Sequence, residues 1–145
     1  MKVIMTHGEK FVTAFESLVL RMQQIDTNCL RTYGDVTKRE FNLLVMLGRS
    51  EKMIMREVAD FLCVPVSTAT AIIDKLDEKG YLKRMHSPTD RRTIVVALNE
   101  EGRSIYLSLR KKLKSFGGEV MDKLDENEKT KFIDLLGKVA SGSLE

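Results

Sequence analysis

Two short amphipathic segments separated by only three residues constrain the fold of this chain more than any other feature. Apolar side chains recur at helical spacing over residues 54–62 and again over residues 66–79. Pro65 separates the two segments, because proline disfavours helical backbone in the residue before it and fits the first turn of the next helix. Gly80 is expected to end the second helix in the left-handed conformation. The sequence therefore predicts two short helices joined by a tight turn.

The hydrophobic period changes from helical to alternating after Gly80. Residues 81–86 and 93–98 predict two strands, and the loop between them, residues 87–92, ends in two arginines. Residues 75–92 contain six basic and three acidic side chains, so this stretch carries +3, which equals the net charge of the whole chain. A helix pair followed by a basic hairpin is the layout of a winged helix-turn-helix. The second helix would enter a major groove of about 12 Å, with the hairpin beside the adjacent minor groove.

Long helices are predicted on both sides of this region. The first, residues 7–33, has apolar side chains at alternating steps of three and four, which is typical of a helix packed along another helix: Phe11, Phe15, Leu18, Met22, Ile25 and Cys29. Thr37 and Glu40 form a capping box that begins a helix over residues 37–48. Asn99 caps a further helix, and a last helix carries Phe132, Leu135, Leu136 and Val139. The fold class is therefore mainly α with a small β-hairpin wing.

Four strings of this sequence resemble the MarR family of bacterial regulators. They are LCVPVSTATAIIDKL over residues 62–76, EKGYLKR over 78–84, SPTDRR over 87–92 and VALNEEG over 96–102. The likeness covers residues 37–105, and the wing string is its most specific part. It implies a two-fold symmetric homodimer that binds a pseudo-palindromic operator in double-stranded DNA, more often as a repressor than as an activator. It also implies release from DNA by a small phenolic or lipophilic effector, or by cysteine oxidation.

The resemblance assigns DNA-contacting roles to particular residues. The positions that face bases in this family are Ser67, Thr68, Thr70 and Ala71. Asp90 and Arg92 match the wing motif, in which the arginine enters the minor groove and the aspartate orients basic side chains. An aspartate in this loop also fits a simple turn-forming role. The expected phosphate contacts are Lys75, Arg91 and, more weakly, Arg56.

Three positions depart from the family pattern. Cys63 replaces the glycine usual in the turn, Pro65 replaces the usual serine or threonine cap, and Ala71 stands where an arginine is frequent. Alanine cannot donate a hydrogen bond to a base, although its methyl group can touch thymine. The operator preference of other members therefore does not transfer to this chain.

The resemblance also divides the chain into functional segments. Residues 1–35 are assigned to an N-terminal dimerisation helix, 36–98 to the DNA-binding domain and 99–140 to C-terminal helices that complete the dimerisation region. Residues 141–145 are assigned to a tail that resembles a cloning remnant. The expected dimer-interface residues are Phe11, Phe15 and Leu18, with Phe132 and Leu136. An intramolecular core is the alternative for the first helix, and a winged-helix protein-interaction module without specific DNA binding is the alternative function.

The remaining residue types favour no catalytic or metal chemistry. The sequence lacks a glycine-rich phosphate loop, GxSxG, HExxH and CxxC, so we expect no enzyme, cofactor or metal site. Cys29 and Cys63 are expected to be buried, inert thiols, with redox sensing as the open alternative. His86 is expected to be a hydrogen-bonding surface residue. There is no run of 18 apolar residues and no signal-peptide pattern, so a cytoplasmic location is expected.

Overall fold

A computed structural model describes residues 5–141, and this part of the chain contains six helices and three short strands. The elements follow the predicted order, with one additional strand: α1 (His7–Thr32), α2 (Lys38–Ser50), β1 (Lys52–Ile54), α3 (Met55–Leu62), α4 (Val66–Glu78), β2 (Leu82–His86), β3 (Ile94–Leu98), α5 (Glu100–Met121) and α6 (Glu126–Ala140). Apart from Ser141, the predicted tail lies outside the described residues. None of the helices described is long and apolar enough to cross a membrane.

The helix starts were predictable because side chains satisfy the first free amides. The Thr37 hydroxyl accepts a hydrogen bond from the Glu40 amide, and the Glu40 carboxylate accepts one from the Thr37 amide at 2.8 Å, which confirms the capping box of α2. The side-chain oxygen of Asn99 likewise accepts from the Gly102 amide at 3.0 Å and begins α5. Gly80 has φ +75° and follows the last residues of α4, as predicted.

The strands form an antiparallel sheet in the order β1-β3-β2. The predicted hairpin of β2 and β3 is confirmed, with Arg84 opposite Val96. The sequence did not indicate β1, because three residues are too short to show a period. Its pairing places β3 in the centre of the sheet, and Val95, Val96 and Ala97 of β3 are all buried.

The hydrophobic core of the winged region lies where α2, α3, α4 and the sheet meet. Its fully buried side chains include Phe41 and Leu44 of α2, Val58 of α3, and Ile73 and Leu76 of α4. α4 packs against α3 and β2, so the apolar side of the second short helix faces inward as predicted. The opposite side of α4 is therefore turned to solvent.

The chain divides into two compact units, Met1–Arg110 and Lys111–Glu145, so the boundary falls within α5. The first unit contains the whole winged region together with α1. In the second unit, α6 begins with a capping box between Asp125 and Glu128.

Candidate nucleic-acid interface

The outer face of α4 is small, polar and exposed, as the sequence predicted. Ser67, Thr68 and Ala71 are exposed, because Ala69, Ile73 and Leu76 occupy the buried side with no accessible surface. No hydrogen-bond partner within the described residues engages the hydroxyls of Ser67 and Thr68. These two groups can therefore both donate to and accept from an external ligand.

Thr70 is less accessible than its neighbours on α4. Its side chain is half-buried, and its hydroxyl donates to the Val66 carbonyl oxygen at 2.8 Å. This bond within the helix commits the proton of Thr70, so the hydroxyl is left mainly as an acceptor.

The wing loop, residues 87–93, is held by hydrogen bonds between exposed groups. The Ser87 amide donates to the Thr93 carbonyl oxygen at 2.8 Å, which closes the loop. The Asp90 carboxylate accepts from the Arg92 amide and from the Thr93 hydroxyl, both at 2.9 Å. The imidazole Nδ1 of His86 lies 2.8 Å from the Arg91 carbonyl oxygen, in agreement with the hydrogen-bonding role predicted for His86.

Asp90 has the contacts of a turn-forming residue. The Arg92 amide, followed by the Thr93 hydroxyl, lowers the pKa of the Asp90 carboxyl because both stabilise its charged form. Its contacts are with backbone and hydroxyl groups, so the geometry favours the turn-forming alternative over direct orientation of basic side chains.

The arginines of the wing loop are exposed cations. Among the described residues, neither Arg91 nor Arg92 has a carboxylate within ion-pair distance, and Lys75 of α4 is likewise exposed without an ion pair. Arg56, in the first turn of α3, is exposed too. These four side chains can reach anions outside the chain.

Two other cations of the basic stretch are engaged within the fold. Arg84 of β2 pairs with Asp74 and Asp77 of α4. Lys79 pairs with the buried Glu40 at 2.9 Å and donates to the Asp35 carbonyl oxygen. Both cations belong to the basic stretch of residues 75–92 in the sequence, and their partners come close only after folding.

A polar network joins the end of α4 to the start of α2. The Tyr81 hydroxyl donates to the Asp35 carboxylate at 3.0 Å, beside the contacts of Lys79. Burial, followed by the hydrogen bond to Asp35, raises the pKa of Tyr81. In the sequence, only the capping box marked Glu40 as a residue with a partner. That motif gave no indication that Glu40 also pairs with Lys79.

The two cysteines differ in exposure. Cys29 is buried, with 1% of its surface accessible, as predicted. The prediction of burial is wrong for Cys63, which is exposed. Cys63 ends α3 with φ +52° and ψ +46°, and the turn before α4 directs its side chain away from the core. This left-handed conformation favours glycine, the residue whose place Cys63 takes in the family pattern.

The residues expected at a dimer interface are incompletely covered within a single chain. In α1, Phe11 and Phe15 are 57% and 46% exposed and stack with their ring centroids 5.3 Å apart, while Leu18 is half-buried. In α6, Phe132 and Leu136 are 36% and 51% exposed. Both helices therefore present apolar side chains to solvent.

The fold and the outward face of α4 define a winged helix-turn-helix domain. Residues 36–94 match the model of the MarR family. The resemblance seen in the sequence is thereby confirmed.

Two relatives are named as transcriptional regulators. The HTH-type transcriptional regulator YfiV of Bacillus subtilis is 30% identical over 78 residues, which are 54% of this chain and 49% of YfiV. The match to this relative thus spans about half of its length. The HTH-type transcriptional regulator SarZ of Staphylococcus haemolyticus is 25% identical over 77% of this chain and 74% of SarZ.

The fold is also similar to that of FabT from Streptococcus pneumoniae, whose crystal structure was determined in complex with DNA. The TM-score is 0.68 and the identity 23%, over 90% of this chain and 91% of FabT. At this identity the likeness concerns the fold.

Proposed function

We propose that this chain is a homodimeric transcriptional regulator that binds double-stranded DNA, with α4 in the major groove and the wing loop at the adjacent minor groove. The observation that carries the proposal is the exposed pair Arg91 and Arg92 in the same domain as a helix, α4, whose outer face is small and polar. Cations without internal partners provide affinity for phosphates, and exposed hydroxyls provide contacts to base edges. The names of YfiV and SarZ and the DNA-bound state of FabT support the same function.

Each predicted contact then has a defined role. Ser67, Thr68 and Ala71 face base edges, with Thr70 available as an acceptor. Lys75, Arg56 and Arg91 contact phosphates, while Arg92 enters the minor groove. Asp90 holds the loop from which both wing arginines project.

Dimerisation is supported by the exposed apolar side chains of α1 and α6. A second copy would cover Phe11, Phe15 and Leu18, together with Phe132 and Leu136, and so remove them from water. Two symmetric copies present two α4 helices, the proposed recognition helices, which fits a pseudo-palindromic operator. We infer repression as the mode of action, carried out in the cytoplasm where the chromosome lies.

A groove in the first unit supports regulation by a small molecule. It has a volume of about 210 Å³, and Phe41, Val45, Phe61 and Leu109 line its apolar part, with Asp26 and Arg49 as charged groups. Because this volume is below the roughly 300–1,000 Å³ of typical ligand pockets, the groove fits only a fragment-sized lipophilic or phenolic effector with a polar substituent. Phe61 belongs to α3, so a molecule bound here would touch the helix that precedes the recognition helix.

The proposed function is tested by fluorescence anisotropy with two duplexes at two salt concentrations. One duplex comes from the region upstream of the protein's own gene, and the other is scrambled. Any winged-helix DNA-binding protein should bind both at low salt and lose affinity steeply as salt rises, by roughly 10³–10⁵ between about 50 and 200 mM for six to ten phosphate contacts. Absence of binding to either duplex at low salt would overturn the proposal in favour of the protein-interaction module.

Arg92→Ala tests the wing assignment. The variant should lose about 1–3 kcal/mol of binding free energy, because one arginine contact is removed. Arg103→Ala is the matched control, since Arg103 is an exposed arginine of α5 outside α4 and the wing. Equal affinities of the wild type and the Arg92→Ala variant would refute the role of Arg92.

A further inference from the structure

Arg84 joins the wing to the recognition helix. Its guanidinium donates to the Asp74 carboxylate, and its Nε lies 3.5 Å from the Asp77 carboxylate. Arg84 belongs to β2, whereas both aspartates belong to α4. The planar guanidinium carries donors in a fixed arrangement, so it can bridge two carboxylates that stand one helical turn apart.

Arg84 connects the two elements that are proposed to bind DNA, α4 and the wing loop. It lies three residues before the wing loop begins, opposite the fully buried Val96 in the centre of the sheet. Asp74 lies three residues after Ala71 and seven after Ser67, on the same side of α4 as the residues that face bases. The ion pairs therefore link the outer face of α4 to the base of the wing.

Resting on the proposed function, we propose that Arg84 is a positioning residue that sets the separation between the recognition helix and the wing. The two elements must enter adjacent grooves at the same time, so their separation affects specific binding more than nonspecific attraction to phosphates. Arg84 also neutralises carboxylates that are 50% and 44% exposed and would otherwise repel phosphates.

If the role of Arg84 were purely electrostatic, removing its two carboxylate partners would change DNA binding in the opposite direction. Asp74→Asn with Asp77→Asn removes two negative charges from the surface that approaches DNA. If only charge mattered, this double variant would bind both the operator and the scrambled duplex more tightly. If Arg84 positions the wing, the double variant loses discrimination instead, because Arg84 no longer has carboxylates to hold it.

The decisive quantity is the ratio of operator affinity to scrambled-duplex affinity, measured with the full chain. We expect this ratio to fall on the order of 10-fold in the double aspartate variant and in Arg84→Gln. The triple variant should be no worse than Arg84→Gln alone, because both changes break the same contact. Arg84→Lys should restore part of the ratio, and Lys83→Gln, which removes the neighbouring exposed cation, should leave the ratio unchanged.

Two outcomes would overturn the proposal. In the first, Arg84→Gln keeps the affinity ratio but binds both duplexes more weakly, and the slope of its salt dependence falls by about 1. This result would make Arg84 a phosphate contact. The second is tighter binding of both duplexes by the double aspartate variant with the ratio preserved.

A measurement on the free protein separates this proposal from the proposed function. Residual dipolar couplings of backbone amides report the orientation of the wing relative to α4 without DNA. In Arg84→Gln the couplings of residues 87–93 should change, while those of α2 and α4 keep their wild-type values. Unchanged couplings of the wing loop would refute the positioning role of Arg84 even if the protein binds DNA. Changed couplings in a protein that binds no DNA would overturn the proposed function but not the positioning role.

Discussion

Helix α4 and the wing loop, which are connected in the chain by β2, are held in place by different forces. α4 buries Ala69, Ile73 and Leu76 completely, and it is followed by Lys79, which pairs with a buried carboxylate. The wing loop has no buried side chain, and its order comes from hydrogen bonds between exposed groups. Core packing stabilises the fold as a whole, whereas exposed hydrogen bonds stabilise only the local conformation.

Because of this difference, substitutions in α4 and in the wing loop should affect stability and DNA binding to different extents. A change on the inner side of α4 should destabilise the domain, and DNA binding would weaken only as a consequence. A change in the wing loop should leave the domain folded and alter binding directly. Substitutions on the two sides of this comparison can therefore be ranked by their effect on stability.

Leu76→Ala should have the largest effect. The side chain is completely buried, so the substitution should lower the free energy of unfolding by about 3 kcal/mol through lost burial and the cavity left behind. Chemical denaturation followed by circular dichroism measures this loss. Glu78→Ala in the same helix is exposed and should change stability by no more than about 0.5 kcal/mol. Equal effects of the two substitutions would show that α4 is not held by its packed side.

Lys79→Met should have the next largest effect. The variant leaves the Glu40 carboxylate buried without its ammonium partner, which should cost about 2–3 kcal/mol because Lys79 itself is partly exposed. The matched control is Lys83→Met, since Lys83 is exposed and forms no ion pair within the described residues. A loss no greater than that of the control would mean that solvent already screens the pair.

The Glu40 carboxylate should make the free energy of unfolding depend on pH. Burial raises the pKa of Glu40, but the Thr37 amide and the Lys79 ammonium lower it by more, so the net shift is below the ordinary value of 4.5. A carboxyl with a lowered pKa contributes its full stabilisation above the ordinary value and loses it as the pH falls through the folded-state pKa. Unfolding free energies of the wild type should therefore fall below about pH 4.5, and Glu40→Gln should show a flatter profile. Parallel profiles would assign the acid sensitivity to other carboxyls.

The features that were predictable from sequence are the local ones. Capping by Thr37 and Asn99 depends on residues three positions apart, and Pro65 and Gly80 act on their own backbone. The helices of the winged region and the outward face of α4 were consequently predictable. Strand β1 was not, because its three residues acquire strand geometry only by pairing with β3.

The features that were not predictable depend on contacts between distant segments. Lys79 and Arg84 look like surface cations in the sequence, yet they pair with Glu40 and Asp74 after folding. The exposure of Cys63 likewise depends on how the turn packs, since neighbouring apolar residues suggested burial. The DNA-facing roles inferred from the family resemblance remain predictions that binding measurements must test.

Asp90→Ala should have the smallest effect on the free energy of unfolding, but it should loosen the wing loop. The substitution removes the acceptor for the Arg92 amide and the Thr93 hydroxyl, so the Arg92 amide should exchange faster with solvent while the unfolding midpoint stays unchanged. Affinity for DNA should fall because the wing arginines lose their fixed loop. Because these hydrogen bonds lower the pKa of Asp90, they should persist at neutral pH and weaken only as the pH falls below the ordinary value of 3.8. Asp134→Ala, an exposed position of α6, serves as the control, and a fall in the unfolding midpoint of Asp90→Ala alone would show that the wing loop contributes to global stability.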